Sequence, residues 1–110
     1  LFAVADGMGG HPDGEVASSM ALDTLRSSFV GNDATALIDA VQAANAAVYA
    51  YAGSNPEVAG MGTTVVAAGV VQRDGTERLA VVNIGDSRIY LANASGSAAT
   101  YTMDAGLEEC

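Results

Sequence analysis

The 110 residues are enough for one domain with a modest core, and too few for two. Half of them are hydrophobic and only 15% are charged, which excludes a disordered tail. Four basic against 13 acidic residues leave a net charge of −9, a surface that repels phosphate backbones and argues against nucleic-acid binding.

That acidity has two readings. It is either a solubilising surface, or a set of carboxylates of which some converge on divalent cations, which take hard oxygen ligands. No apolar run approaches the roughly 20 residues needed to span a bilayer, because Gly, Asn, Asp or Arg interrupts each one. Leu1 to Ala5 has no basic n-region and no initiator Met, so it reads as a strand already in progress and not as a signal peptide. The single cysteine, Cys110, gives neither a disulfide framework nor a cysteine metal cluster, and a reducing, cytoplasmic setting is expected.

In chain order, Leu1 to Ala5 is a short apolar strand ending at Asp6-Gly7. Residues 6 to 14 hold four glycines and a proline and are expected to be irregular loop. Glu15 to about Phe29 reads as helix, with Val16, Met20, Ala21 or Leu22, Leu25 and Phe29 at three- and four-residue spacing. Gly31-Asn32 is a stop, and Asn32 or Asp33 is placed to cap the next helix, Ala34 to Ala52. The stripe of that helix is Leu37, Val41, Ala44, Val48 and Tyr51, with alanines that favour helix and close packing.

After Gly60-Met61-Gly62 the pattern changes. Thr63 to Gln72 is β-branched and almost wholly apolar, as expected of a strand covered on both faces. Arg73-Asp74-Gly75-Thr76 signals a hairpin, followed by strands at Arg78 to Ile84 and Ser87 to Ala92, broken by Gly85-Asp86. Gly96-Ser97 is a further turn, and Ala99 to Met103 is a last short strand. A strand, two helices and an antiparallel meander imply a layered α+β fold with helices packed on a sheet.

Two places are candidates for chemistry. Asp6 closes a buried strand, so its direction is fixed, while the glycines after it let backbone carbonyls approach a ligand. Mg²⁺ and Mn²⁺ suit that carboxylate, carbonyl and water environment; the structural alternative is a tight Asp-Gly turn with no ligand. In Gly85-Asp86-Ser87-Arg88 the glycine allows a sharp bend that re-aims the next side chain. Asp86 then either reaches a cation, pairs with Arg88 or caps its turn. His11 is the only histidine, and one histidine in a glycine-rich loop is more often a solvated or packing residue than an acid–base group. Ser18 and Ser19 lack a nucleophile elbow, and Cys110 has no partner base, which excludes hydrolase triads and a cysteine nucleophile.

Three ordered motifs go further than any single residue. Asp6-Gly7-Met8-Gly9-Gly10-His11 with Gly14-Glu15 and Ala17-Ser18 resembles the first signature of bacterial PP2C (PPM) metal-dependent Ser/Thr phosphatases. Gly60 to Ala68 resembles their Gly-Met-Gly-Thr-Thr strand, and Leu79 to Leu91 resembles the strand pair carrying Gly-Asp-Ser-Arg. The resemblance implies an αββα sandwich of antiparallel sheets, of which residues 1 to 110 form the N-terminal half. It implies two Mn²⁺ or Mg²⁺ ions, with a third in some cases, and phosphorylated Ser/Thr proteins, protein kinases among them, as substrates. By this match Asp6 bridges two ions, the Gly7 carbonyl binds one of them, and Asp86 helps hold a further, looser ion.

The departures are equally specific. Eukaryotic relatives often carry, where this chain has Met8, a histidine assigned as the leaving-group acid; methionine cannot donate a proton, and His11 is not the matched position. The family's upstream Arg and acidic segment and its downstream metal-binding aspartates are missing, and Asp104-Ala105-Gly106-Leu107 replaces a common Asp-His-Ser. Negligible activity is therefore expected of these 110 residues alone. A non-catalytic module that binds a partner on the same scaffold is the alternative.

Overall fold

The computed structural model describes residues 1–9, 13–92, 94–96, 98–101 and 105–109. The sequence readings at His11, Met103, Asp104 and Cys110 fall outside these residues. The chain opens with β1 (Phe2–Val4) and β2 (Gly7–Met8), followed by the helices α1 (Asp13–Ser28) and α2 (Ala34–Ser54). A single 3-10 turn at Pro56–Val58 leads to β3 (Gly62–Thr63), β4 (Val65–Arg73), β5 (Thr76–Ile84), β6 (Ile89–Ala92), β7 (Ala98–Tyr101) and β8 (Ala105–Glu109).

The glycine loop is more ordered than its composition suggests, since Gly7–Met8 pairs with β3 and the helix begins at Asp13. Asp13 and Glu15 in the first turn of α1 and Arg26 in its last match the helix dipole. Its buried line is Gly14, Ala17, Ala21 and Leu25; Ala21 and Leu25 belong to the expected stripe, whereas Val16 and Met20 lie at the margin. Small residues sit at the centre because α1 lies close against α2 and β2. Gly31, at φ +101°, separates the two helices, and the Asp33 carboxylate accepts from the Ala36 N–H at 2.8 Å as the N-cap of α2. Leu37, Ala40 and Ala44 carry the buried face of α2, whereas Tyr51, expected on that stripe, is exposed.

Four strands form one antiparallel sheet in the order β1-β4-β5-β8, and β2-β3 and β6-β7 are two-stranded ribbons. Asp74 and Gly75 turn the β4–β5 hairpin, both at positive φ as a two-residue type I′ turn requires. Strand β8, which pairs with β5, was not read from the sequence: Ala-Gly-Leu-Glu-Glu has no β-branched residue, and it is pairing with a neighbour that makes it a strand.

The main core lies between the helices and one face of this sheet. Leu25, Leu37 and Val71 are fully buried there, with Val65, Ala67, Ala80 and Val82 beside them. Among the described residues strand β4 is fully buried on this face only; on the other Val66 and Ala68 are half-buried and Val70 is exposed, which falls short of the two-sided burial expected of it. Its alternate residues pair with β1, as Phe2↔Ala68 and Val4↔Val66, and Phe2 is 81%, Val4 70% and Val70 58% exposed. Sheet residues pointing away from the helices thus form an apolar surface that the described residues leave open along β1 and β4.

Candidate functional site

The expected strand at Thr63 to Gln72 is interrupted at Thr64, between β3 and β4. The pairing nevertheless keeps one register across the break. Val4↔Val66 on one side and Gly7↔Thr63 on the other lie on the same ladder, so Asp6 stands opposite Thr64. The Thr64 N–H donates to the Asp6 carbonyl at 3.0 Å, as that pairing demands. On the other flank Val65↔Ile84 carries the β4–β5 register on to Thr64 opposite Gly85. Asp6, Thr64 and Gly85 therefore form a row across three neighbouring strands at one end of the sheet. By side-chain alternation this row belongs to the face away from the helices.

Gly85 has φ +104°, which a side chain rarely adopts, and a Cβ there would lie 2.7 Å from Thr64 Cγ2. The chain turns sharply at this point, so Asp86 leaves the row exposed to solvent, as Asp6 does. Ser87 then folds back: its hydroxyl meets the Thr64 hydroxyl at 2.9 Å, and its carbonyl accepts from Asn83 Nδ2 at 2.8 Å. Asp6 and Gly85, the residue before Asp86, are two strand spacings apart, about 10 Å, at the same end of the sheet.

Gly7 packs directly on the start of α1. A Cβ on Gly14 would lie 3.0 Å from the Gly7 carbonyl oxygen, so the absence of a side chain at Gly14 keeps that oxygen uncrowded. The donors gathered here are a carboxylate, a backbone carbonyl and a second carboxylate, all hard oxygens of the kind Mn²⁺ and Mg²⁺ prefer. Among the described residues no group of three or more His, Cys, Asp or Glu converges to hold a metal by itself. Met8 is exposed and offers no proton. A cavity of about 690 Å³ lies nearby between α2, β3 and β4, but its lining is mainly apolar and includes neither aspartate.

The family model for protein phosphatase 2C matches residues 1–105. The chain belongs to that family. It is 47% identical over 98 residues to the serine/threonine protein phosphatase PstP of Mycobacterium tuberculosis, covering 83% of this chain and 18% of PstP. It is 41% identical over 101 residues to the serine/threonine phosphatase stp of Listeria monocytogenes, covering 83% of this chain and 38% of that relative. A crystal structure of the PstP catalytic domain in complex with two manganese ions superposes with a TM-score of 0.74 at 42% identity, over 93% of this chain and 44% of that one. The protein phosphatase 2C chain described here thus spans less than half the length of these relatives, and its antiparallel α+β fold is that of their N-terminal part.

Sequence reasoning singled out Asp6, Gly7 and Asp86, and the fold sets all three at one end of the sheet. It passed over Thr64, which links them. The signal for it was the threonine pair closing the Gly-Met-Gly-Thr-Thr motif, where a β-branched residue already had an ordinary explanation as strand.

Proposed function

We propose that residues 1 to 110 are a partial domain that supplies the first part of the active site of a metal-dependent phosphoprotein phosphatase, acting on phosphoserine and phosphothreonine. The observation that carries this is the row at the sheet end, where Asp6 and the turn bearing Asp86 are tied together through Thr64. In the relative described above, a domain of this fold holds two manganese ions. When bound, two such cations supply an activated water and offset charge on the phosphoryl oxygens.

The chain's own residues do the positioning. Asp6 holds its carboxylate at a strand end whose backbone is fixed by Thr64, and Gly7 offers its carbonyl beside it. Asp86 brings a second carboxylate on a turn that Gly85 makes sharp. The remaining ligands come from outside these residues, so the chain alone turns over negligibly, and water or a residue other than Met8 serves as the leaving-group acid. The substrates are phosphorylated Ser/Thr proteins, Ser/Thr protein kinases among them, met in the cytoplasm. Among the described residues no helix is long and apolar enough to cross a membrane.

The test is Asp6→Asn in the full-length protein, assayed for Mn²⁺-dependent phosphate release from a phosphothreonine peptide. Loss of activity by about 100-fold or more is expected from removing a charge-organising group. Wild-type turnover would overturn the assignment. Inertness of the full-length wild type, with retained partner binding, would favour the non-catalytic module.

A further inference from the structure

We propose that Thr64 is a positioning residue for the Asp6 and Asp86 ligands, with its hydroxyl serving as the strut that joins their two turns. This rests on the metal-site reading above. In a regular antiparallel ladder, a hydrogen-bonded pair of residues exchanges two N–H···O=C bonds. Asp6 and Thr64 exchange one, from the Thr64 N–H to the Asp6 carbonyl. The Thr64 carbonyl instead accepts from Thr63 Oγ1 at 2.8 Å. The Asp6 N–H donates at 3.3 Å to the Thr64 hydroxyl, so a side-chain oxygen stands in for the missing ladder carbonyl.

The same hydroxyl has capacity for a second bond, and it spends that on Ser87 Oγ at 2.9 Å. Ser87 is anchored in turn by Asn83, which is 1% exposed, so the strut ends on a buried support. The Thr64 methyl group fills the space beside Gly85, where a Cβ would lie 2.7 Å away. One residue thereby fixes the backbone of the first aspartate and the path of the second. Valine keeps the methyl and removes both hydroxyl bonds; serine keeps the bonds and removes the methyl.

Outer partners that orient a metal ligand typically cost about 10- to 100-fold in metal affinity or activity when removed. In the full-length protein, Mn²⁺ affinity is measured by calorimetric titration alongside phosphopeptide turnover. Thr64→Val is expected to weaken Mn²⁺ binding about tenfold, and Thr64→Ser to restore it to near the wild-type value. Ser87→Ala, which acts from the other end of the strut, is expected to weaken it in the same sense. The double variant Thr64→Val/Ser87→Ala is expected to be little worse than Thr64→Val alone, because both changes break one connection. If Thr64→Val fails to fold, Ser87→Ala with its own titration decides. Wild-type Mn²⁺ affinity in Thr64→Val or in Ser87→Ala, or full additivity in the double variant, would overturn the proposal. Asp6→Asn separates the two levels: if it alone loses Mn²⁺, only the strut falls, and if it too binds normally, the metal-site reading falls with it.

Discussion

Gly7 and Gly14 meet backbone to backbone, and a Cβ added to Gly7 would lie 1.9 Å from the Gly14 carbonyl oxygen and 2.4 Å from its carbon. Backbone cannot step aside as a flexible side chain does, so either β2 or the start of α1 must move. Gly7→Ala is expected to cost about 3 kcal/mol, the upper end for overpacking, measured by urea unfolding of the full-length protein. This steric demand is independent of any role for the Gly7 carbonyl, which makes a Gly7 variant a poor probe of metal binding and leaves Asp6→Asn as the cleaner one. The residues of the site were unequally visible in the sequence. Asp6 and Asp86 stand out only through the ordered motifs around them, because an aspartate beside glycine is by itself an ordinary turn signal, as Asp74-Gly75 is here. Thr64 does not, because its hydroxyl matters only once two distant turns are folded against it.

At the level of elements, the two helices depend on short local signals and then on packing. Asp33 caps α2 through the Ala36 N–H, and the first turn of that helix holds no acidic residue to assist it. Asp33→Ala is expected to destabilise the fold by about 1 kcal/mol, seen as a lower urea midpoint with an unchanged slope. Helix centres were legible from three- and four-residue spacing, including Ala21 and Leu25, but the rest of the deepest line of α1 was not. Spacing marks large apolar residues, whereas close approach of α1 to its neighbours also selects Gly14 and Ala17. The β4–β5 hairpin was legible from Asp74-Gly75, because few residues tolerate two consecutive positive φ angles. Strand β8 was invisible for the opposite reason: its residues carry no intrinsic preference, and its partner β5 decides its conformation.

For the molecule as a whole, one sheet face is covered by helices and the other is largely open along β1 and β4, with Phe2, Val4 and Val70 all more than half exposed. Sequence pattern alone predicted burial on both faces of β4, because an apolar strand records what its surroundings should be and not which parts supply them. An open apolar face of this kind drives association. The isolated chain is expected to bind a hydrophobic dye and to sediment above monomer mass at micromolar concentration. Phe2→Ser with Val70→Thr is expected to reduce both signals; a monodisperse, dye-negative wild-type chain would contradict this.

The unbroken register through Asp6 and Thr64 also makes the site a gauge of folding accuracy. Slipping β1 by a single residue would swap Ala5 or Gly7 into the place of Asp6 and send the carboxylate to the opposite side of the sheet. Such a misthreaded molecule could retain most of its helices and strands while losing the placement of that carboxylate. On the reading proposed above, manganese uptake by the full-length protein would count correctly aligned chains, a quantity that helix or strand content alone would not reveal.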